Sequence, residues 1–151
     1  LVLTEMAAWY ARQNMTLYDA LEALYEKYGC YNEKTMNLMM PGMEGLDKMK
    51  RLMAGLRENP PAEIAGVPVR IVKDYLTGTS YDAAVGEHEE MELSGSDVLR
   101  YETEDGTVLL IRPSGTEPKI KVYILASGDC MDTCGENIDK YAAWAESLRD
   151  L

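Results

Sequence analysis

Cysteine is scarce in this sequence: Cys30, Cys130 and Cys134 are the only three in 151 residues. So odd and sparse a set suits a reducing cytosol and argues against a disulfide scaffold. Cys130 and Cys134 stand four apart but supply only half of a zinc site, with no His or further Cys close by. Buried or idle thiols are expected instead. Histidine occurs once, as His88 among Glu87, Glu89 and Glu90, where a solvent-exposed ring is expected and a catalytic one is not. No run approaches the roughly 18 apolar residues of a membrane span, so no membrane partner is expected. The opening "LVLTEMAAWYARQ" has no basic n-region and no small-residue cleavage site, hence no signal peptide is read and a cytoplasmic location is expected. An initiator Met is missing too. "LVLTEM" reads as the middle of a helix, and the chain is expected to be a piece of a longer one.

Basic residues are in the minority, 15 against 26 acidic, for a formal net charge of −11. A general nucleic-acid binder would present a basic face, so a nucleic-acid partner is not expected. Any anion site must be a local basic island, which is feasible because charges more than about 8 Å away are largely screened at physiological salt. A chain of this length buries about 70% of the surface it exposes when unfolded. That suffices for one full domain and a fragment of another.

Residues 1–13 read as the end of a helix stopped near Asn14. "TLYDALEALYEKYG" is a second helix. Thr16 and Asp19 stand at the capping-box offset, Leu17, Leu21, Leu24, Tyr25 and Tyr28 form its apolar stripe, and Gly29 is its C′ residue. A domain boundary is expected at 29–33, leaving residues 1–30 as a helical tail and 31–151 as a domain. "YNEKTMNLMM" reads as a strand. A helix over 44–58 carries Leu46, Met49, Met53 and Leu56 on one face and ends at "NPP". "VPVRIVKDYLTG" alternates, which puts Val67, Val69 and Ile71 on one side. Residues 78–96, with "GEHEEMELSG", read as a long solvated loop rather than a cation site. "DVLRYETEDGTVLLIRP" signals a hairpin with Asp105-Gly106 as a two-residue type I′ turn. "KIKVYILAS" is the next strand, and Ile138, Tyr141, Ala142, Ala145 and Leu148 mark a closing helix. The fold class is therefore α+β: a mixed or antiparallel sheet of about five strands with helices on one face, preceded by two helices.

The segment "LLIRPSGTEPKIKVYI" packs Arg, Ser, Gly, Thr, Glu and Lys between two apolar strands. Pro113 and Gly115 stand at the second and fourth positions of a type I β-turn, and a hairpin needs nothing more. The same residues also suit an anion. Arg112 offers a rigid fork of donors. Ser114 and Thr116 add hydroxyls around Gly115, which lets a ligand oxygen approach the backbone. Successive N–H groups in such a turn form a concave nest. Lys121, on the returning strand, supplies a point charge.

"RPSGTEPKIKVYI" resembles the phosphate-binding loop of the C-terminal domain of the α-D-phosphohexomutases. With "TLYDALEALYEKYGCY", "GLDKMKRLMAGLRENPP" and "SDVLRYETEDGTVLLIRPSGTEPKIKVY", the resemblance extends over nearly the whole chain and points to the bacterial phosphoglucomutase branch. It implies a parent enzyme that interconverts glucose 1-phosphate and glucose 6-phosphate through a phosphoserine and glucose 1,6-bisphosphate, with magnesium on another domain. It also implies that Arg112, Ser114, Gly115, Thr116 and Lys121 hold the phosphate that is not being transferred. No Ser-His-Asn stretch for a phosphoserine and no Asp-Gly-Asp-Gly-Asp-Arg run for magnesium occur here. No catalytic residue or metal ligand is therefore expected in this chain, and alone it is expected to be inactive. Phosphomannomutase and phosphopentomutase activities stay open, as does a stand-alone phosphate-binding or protein-interaction module. The partners expected are a phosphosugar and the remaining domains of the parent. The two leading helices are expected to fold back on the domain or to mediate a dimer.

Overall fold

The structure, a computed structural model, describes residues 1–150. Helix α1 (Val2–Ala11) ends before Asn14, whose φ of 57° turns the chain. Helix α2 (Leu17–Tyr28) starts with the expected capping box. The Thr16 N–H donates to Asp19 Oδ2 at 2.7 Å, and the Asp19 N–H donates to Thr16 Oγ1 at 3.1 Å. Strand β1 (Cys30–Met39) and helix α3 (Gly45–Glu58) follow. Next come β2 (Glu63–Ile64), β3 (Val67–Asp74), β4 (Thr79–Asp82), β5 (Glu87–Glu90), β6 (Leu99–Thr103), β7 (Val108–Pro113) and β8 (Lys119–Gly128). Helix α4 (Met131–Ser147) and a 3-10 turn (Leu148–Asp150) close the described chain.

The strands form a sheet in the order β1-β8-β7-β6-β3-β4-β5, with β2 attached to β3, and every pairing is antiparallel. Class and layering match expectation, but there are eight strands rather than about five. Of the three additional strands, β2 is a two-residue attachment to β3, and the other two lie in the segment expected to be a loop: β4 and β5 make a hairpin in which Tyr81 faces His88, ring centroids 4.6 Å apart. β5 reads Glu-His-Glu-Glu and is exposed throughout, so it has no apolar alternation to reveal it. Such charge suits an edge strand, since it deters pairing with another chain.

Two further local expectations are corrected. A bulge between Val69 and Ile71 breaks the alternation of β3: Val69 is buried, whereas Ile71 pairs with Glu102 on the opposite face. The β6–β7 connection is not a type I′ turn, because only Gly106 of the Asp105-Gly106 pair has positive φ (81°). The Gly106 N–H donates to Thr103 O at 3.0 Å, and the Thr103 N–H donates to Thr107 O at 3.0 Å. This is a three-residue loop closed by a glycine bulge.

Helices α3 and α4 cover one face. Met49, Leu52, Met53 and Leu56 of α3, with Ile138, Tyr141, Ala142 and Ala145 of α4, pack on Leu99, Tyr101, Leu109, Ile111, Ile120, Val122 and Ile124. Each large aliphatic chain so buried contributes roughly 1.5–3 kcal/mol. The other face carries no helix from α3 or α4. Helix α1 has no buried residue and α2 only Ala20, while Leu3, Trp9, Tyr18 and Leu24 stay exposed. Helix α2 leans on the domain only in part: Tyr25 lines one cleft with Val108 and Leu125, and with Glu22 and Glu26 another beside α4. The polar link of these helices to the domain is a pair of tyrosine bonds: Tyr25 Oη to Tyr31 O and Tyr31 Oη to Tyr28 O, each 3.4 Å. Among the described residues no helix is long and apolar enough to cross a membrane.

A polar network pins α4 to the β6–β7 turn. Asp105 accepts from Tyr141 Oη (2.9 and 3.0 Å), Lys140 Nζ (2.9 Å), the Thr103 hydroxyl (2.8 Å) and the Thr107 N–H (3.1 Å). Burial alone would push the Asp105 carboxyl up, but the bonds from Lys140, Thr103, Thr107 and Tyr141 outweigh it and hold the carboxyl well below the usual carboxylate range. Burial, and the neighbouring Asp105, push the Tyr141 phenol up to about 12. A carboxylate with a lowered folded pKa stabilises fully above its unfolded value of about 3.9, and that contribution fades as pH falls toward the folded value. Asp105→Ala should therefore destabilise the fold at pH 7 by about 1–3 kcal/mol, the cost of buried donors left unsatisfied. In urea unfolding the gap between variant and parent should narrow as pH drops below about 4. Equal stability at pH 7 would contradict this role for Asp105.

Candidate functional site

The sheet's pleat decides what the β7–β8 connection presents. Ile111, Ile120 and Val122 are fully buried under the helices. Their strand neighbours Arg112 and Lys121 therefore point to the open face. The two are register partners across β7 and β8, and Asn37 of β1 pairs with Lys121 on its other side. Side chains directly opposite across antiparallel strands lie about 4.5–5.5 Å apart at Cβ. A row of Asn37, Lys121 and Arg112 thus runs over three strands beside the loop. Asn37 was not anticipated from the sequence, because it reaches this row only through long-range pairing.

Between the strands runs a loop of residues 114–118. It is not the type I turn that Pro113 and Gly115 suggested: Pro113 is the last residue of β7, and no bond joins the Gly115 N–H to Arg112 O. The loop is instead closed by the Ser114 N–H to Lys119 O (2.9 Å) and the Lys119 N–H to Glu117 O (2.8 Å). The Met40 N–H holds it from outside, donating to Pro118 O at 2.8 Å. Gly45 opens α3 hard against this joint. A Cβ there would sit 1.9 Å from Met40 O and 3.3 Å from Pro118 Cβ.

The loop's donors are unused. Among the described residues the N–H groups of Gly115, Thr116 and Glu117 have no partner in the chain, nor do the hydroxyls of Ser114 and Thr116. Among the described residues Arg112 and Lys121 form no ion pair, whereas Lys119 is paired with Glu117 at 2.5 Å. That hydrogen bond, with the nearby charge of Lys119, holds the Glu117 carboxyl below its ordinary range. Glu117 bonds Lys119 and also feels the charge of Lys121, so among the described residues Arg112 and Lys121 are the basic groups of the loop without an ion pair of their own. Gly115 has no positive φ, and a Cβ on it would meet nothing within 4 Å. The fold itself places no demand for glycine there. All five residues expected at the site, Arg112, Ser114, Gly115, Thr116 and Lys121, thus lie on the loop or on the strands that frame it.

No cluster of three His, Cys, Asp or Glu side chains that could hold a metal occurs among the described residues. A larger apolar cavity, about 610 Å³, lies at the other end of β8 between Tyr25, Tyr31, Val108 and Leu125. It shares no residue with the loop.

Residues 49–129, from within α3 to just past β8, match the family model described as phosphoglucomutase/phosphomannomutase, C-terminal domain. This chain belongs to the phosphoglucomutase/phosphomannomutase family. The phosphoglucomutase of Staphylococcus aureus (strain bovine RF122 / ET3-1) is 36% identical over 124 residues, covering 82% of this chain and 22% of that protein. Its counterpart from strain MSSA476 is 38% identical over 109 residues, or 72% and 20% of the two chains. The chain thus spans about a fifth of the length of the curated relatives it matches. The open-form crystal structure of pp63/parafusin, a phosphoglucomutase from Paramecium, covers 89% of this chain with 23% of its own at 16% identity and a TM-score of 0.48. The matched family segment contains the whole 112–121 site, whereas α1, α2 and β1 fall outside it.

Gly45 offers a direct test of how this family's loop is braced here. Gly45→Ala must displace Met40 or α3, and such overpacking costs about 1–3 kcal/mol. A chemical-denaturation midpoint unchanged from the parent would show that the close approach does not brace the loop.

Proposed function

We propose that this chain is the phosphate-gripping C-terminal domain of a phosphosugar mutase, an intramolecular phosphotransferase that acts on glucose 1-phosphate and glucose 6-phosphate. The observation that carries the reading is the set of unpaired donors: three consecutive N–H groups, two hydroxyls, and the Arg112–Lys121 pair on one side of a single loop. A phosphate dianion has the acceptors to use them all, and the guanidinium fork of Arg112 fits two of its oxygens at once. Glycine at position 115 is accounted for by a ligand oxygen that must reach the backbone.

The chemistry of the donors suits a grip that ignores the sugar. The loop offers positive charge and N–H groups but no aromatic platform for a ring. A mutase needs such a grip, because in the two halves of its reaction the substrate presents opposite ends. The phosphoryl group moves between a serine of the parent enzyme and either end of the sugar, with glucose 1,6-bisphosphate between the halves. Throughout, this loop would hold the phosphate that is not moving. The serine, magnesium and the groups that read the sugar are assigned to other parts of the parent chain, and this chain alone is expected to be inactive. Helices α1 and α2, barely attached and apolar outside, are assigned to the domain that precedes this one or to a dimer contact. Mannose and ribose phosphates remain alternatives as substrates, since nothing in the loop selects the sugar.

In the parent enzyme Arg112→Ala should lower kcat/KM about ten- to a hundredfold, the equivalent of about 1.5–3 kcal/mol for hydrogen bonds to a charged group. The loss should be similar in both reaction directions, and Arg112→Lys should recover only part of it, because lysine lacks the fork. Full efficiency in the alanine variant would overturn the assignment.

A further inference from the structure

A carboxylate stands inside the loop that offers its donors to an anion. Glu117 contributes one of the three consecutive N–H groups without a partner among the described residues, and its side chain lies against Lys119 at 2.5 Å. That ion pair is not what shapes the loop. The backbone there is already held by the Ser114 N–H on Lys119 O, the Lys119 N–H on Glu117 O and the Met40 N–H on Pro118 O. The two partners also differ in freedom: the Glu117 side chain is 54% exposed and that of Lys119 only 17%. Ile120 and Val122 are buried under the helices, so Lys119 and Lys121 share the open face with Arg112. The bond from Lys119, and beyond it the charges of Lys119 and Lys121, hold the Glu117 carboxyl below its ordinary range. Glu117 is therefore ionised at neutral pH, and it acts on a lysine assigned above to the phosphate.

We propose that Glu117 is a built-in competitor of the bound phosphate: its carboxylate contends with the ligand for the charge of Lys121, weakens the grip and speeds release. The proposal rests on the reading of this loop as a phosphate grip and adds how that grip lets go. A dianion held by the N–H groups of residues 115–117 stands beside a like charge carried by residue 117 itself. The bond to Lys119 keeps the carboxylate off those N–H groups, so it tempers the site without filling it. A mutase must give up one phosphate and take the other between the two halves of its reaction. A grip with three cations and no opposing charge would hold its ligand too long for that exchange.

The test is the affinity of this chain for inorganic phosphate, followed by NMR at the amides of Gly115 and Thr116. Glu117→Gln keeps the shape of the side chain and removes its charge. It should bind phosphate about two- to fivefold more tightly, the size of an exposed charge interaction. The gain should shrink as salt is raised to about 1 M, where the screening length falls to roughly 3 Å. Glu87→Gln makes the same change of net charge on the far edge strand β5 and should leave the affinity as it is. Equal or weaker binding in Glu117→Gln would overturn the proposal and make the carboxylate a brace of the loop. An equal gain in Glu87→Gln would overturn it as well, because the effect would then belong to net charge alone. No phosphate response in the unaltered chain would overturn the grip itself, and this proposal with it.

Discussion

The register between β7 and β8 is the constraint on which the site depends. Successive residues of a strand face opposite ways, so a slip of β8 by one residue against β7 would exchange the two faces of β8. Lys121 would turn into the helix-covered core, away from Arg112, and Ile120, Val122 and Ile124 would turn out. Losing the burial of three such side chains at roughly 1.5–3 kcal/mol each is comparable with the whole stability of a typical domain, about 5–15 kcal/mol. Burying an unpaired cation would add several kcal/mol more. The core thus fixes the position of the two charges, although neither charge touches the core.

The sheet is braced at both ends of this strand pair. At the loop end Gly45 lets α3 press on Met40 and Pro118, and Met40 bonds the loop directly. At the far end Asp105 gathers Tyr141 and Lys140 of α4 into the β6–β7 turn. Neither brace draws on the loop's own donors. Among the described residues the N–H groups of residues 115–117 are left without a partner in the chain because the loop is held by residues 114, 118 and 119. A site for a dianion requires this separation of scaffold bonds from binding bonds: donors already spent within the fold would have to be freed before they could bind.

Much of the molecule was legible in the sequence, and for local reasons. The apolar stripes marked α2, α3 and α4, and the Thr16–Asp19 offset marked a cap that does form. The strands that bury one face, β6, β7 and β8, stood out as apolar runs beside the Asp105-Gly106 turn signal and the 112–121 loop. The loop residues were found because their types are unusual between two apolar runs. The parts that were not legible depend on distant partners or on exposure. Hairpin β4–β5 buries none of its residues, so selection for burial leaves no pattern in it. The bulge in β3 depends on its pairing with β6, and the glycine-bulge turn depends on Asp105 bonding Thr103 and Thr107. Asn37 stands beside Lys121 across a gap of 84 residues that no local window spans.

The most direct test of the central claim, that the loop grips phosphate and not sugar, is an amide NMR titration of this chain. The ligands are inorganic phosphate, glucose 1-phosphate and glucose 6-phosphate, with glucose as control. The account predicts shifts at Gly115, Thr116 and Glu117 with all three phosphates and none with glucose. Amides in the loop that stay unmoved at saturating phosphate, or that respond equally to glucose, would contradict it.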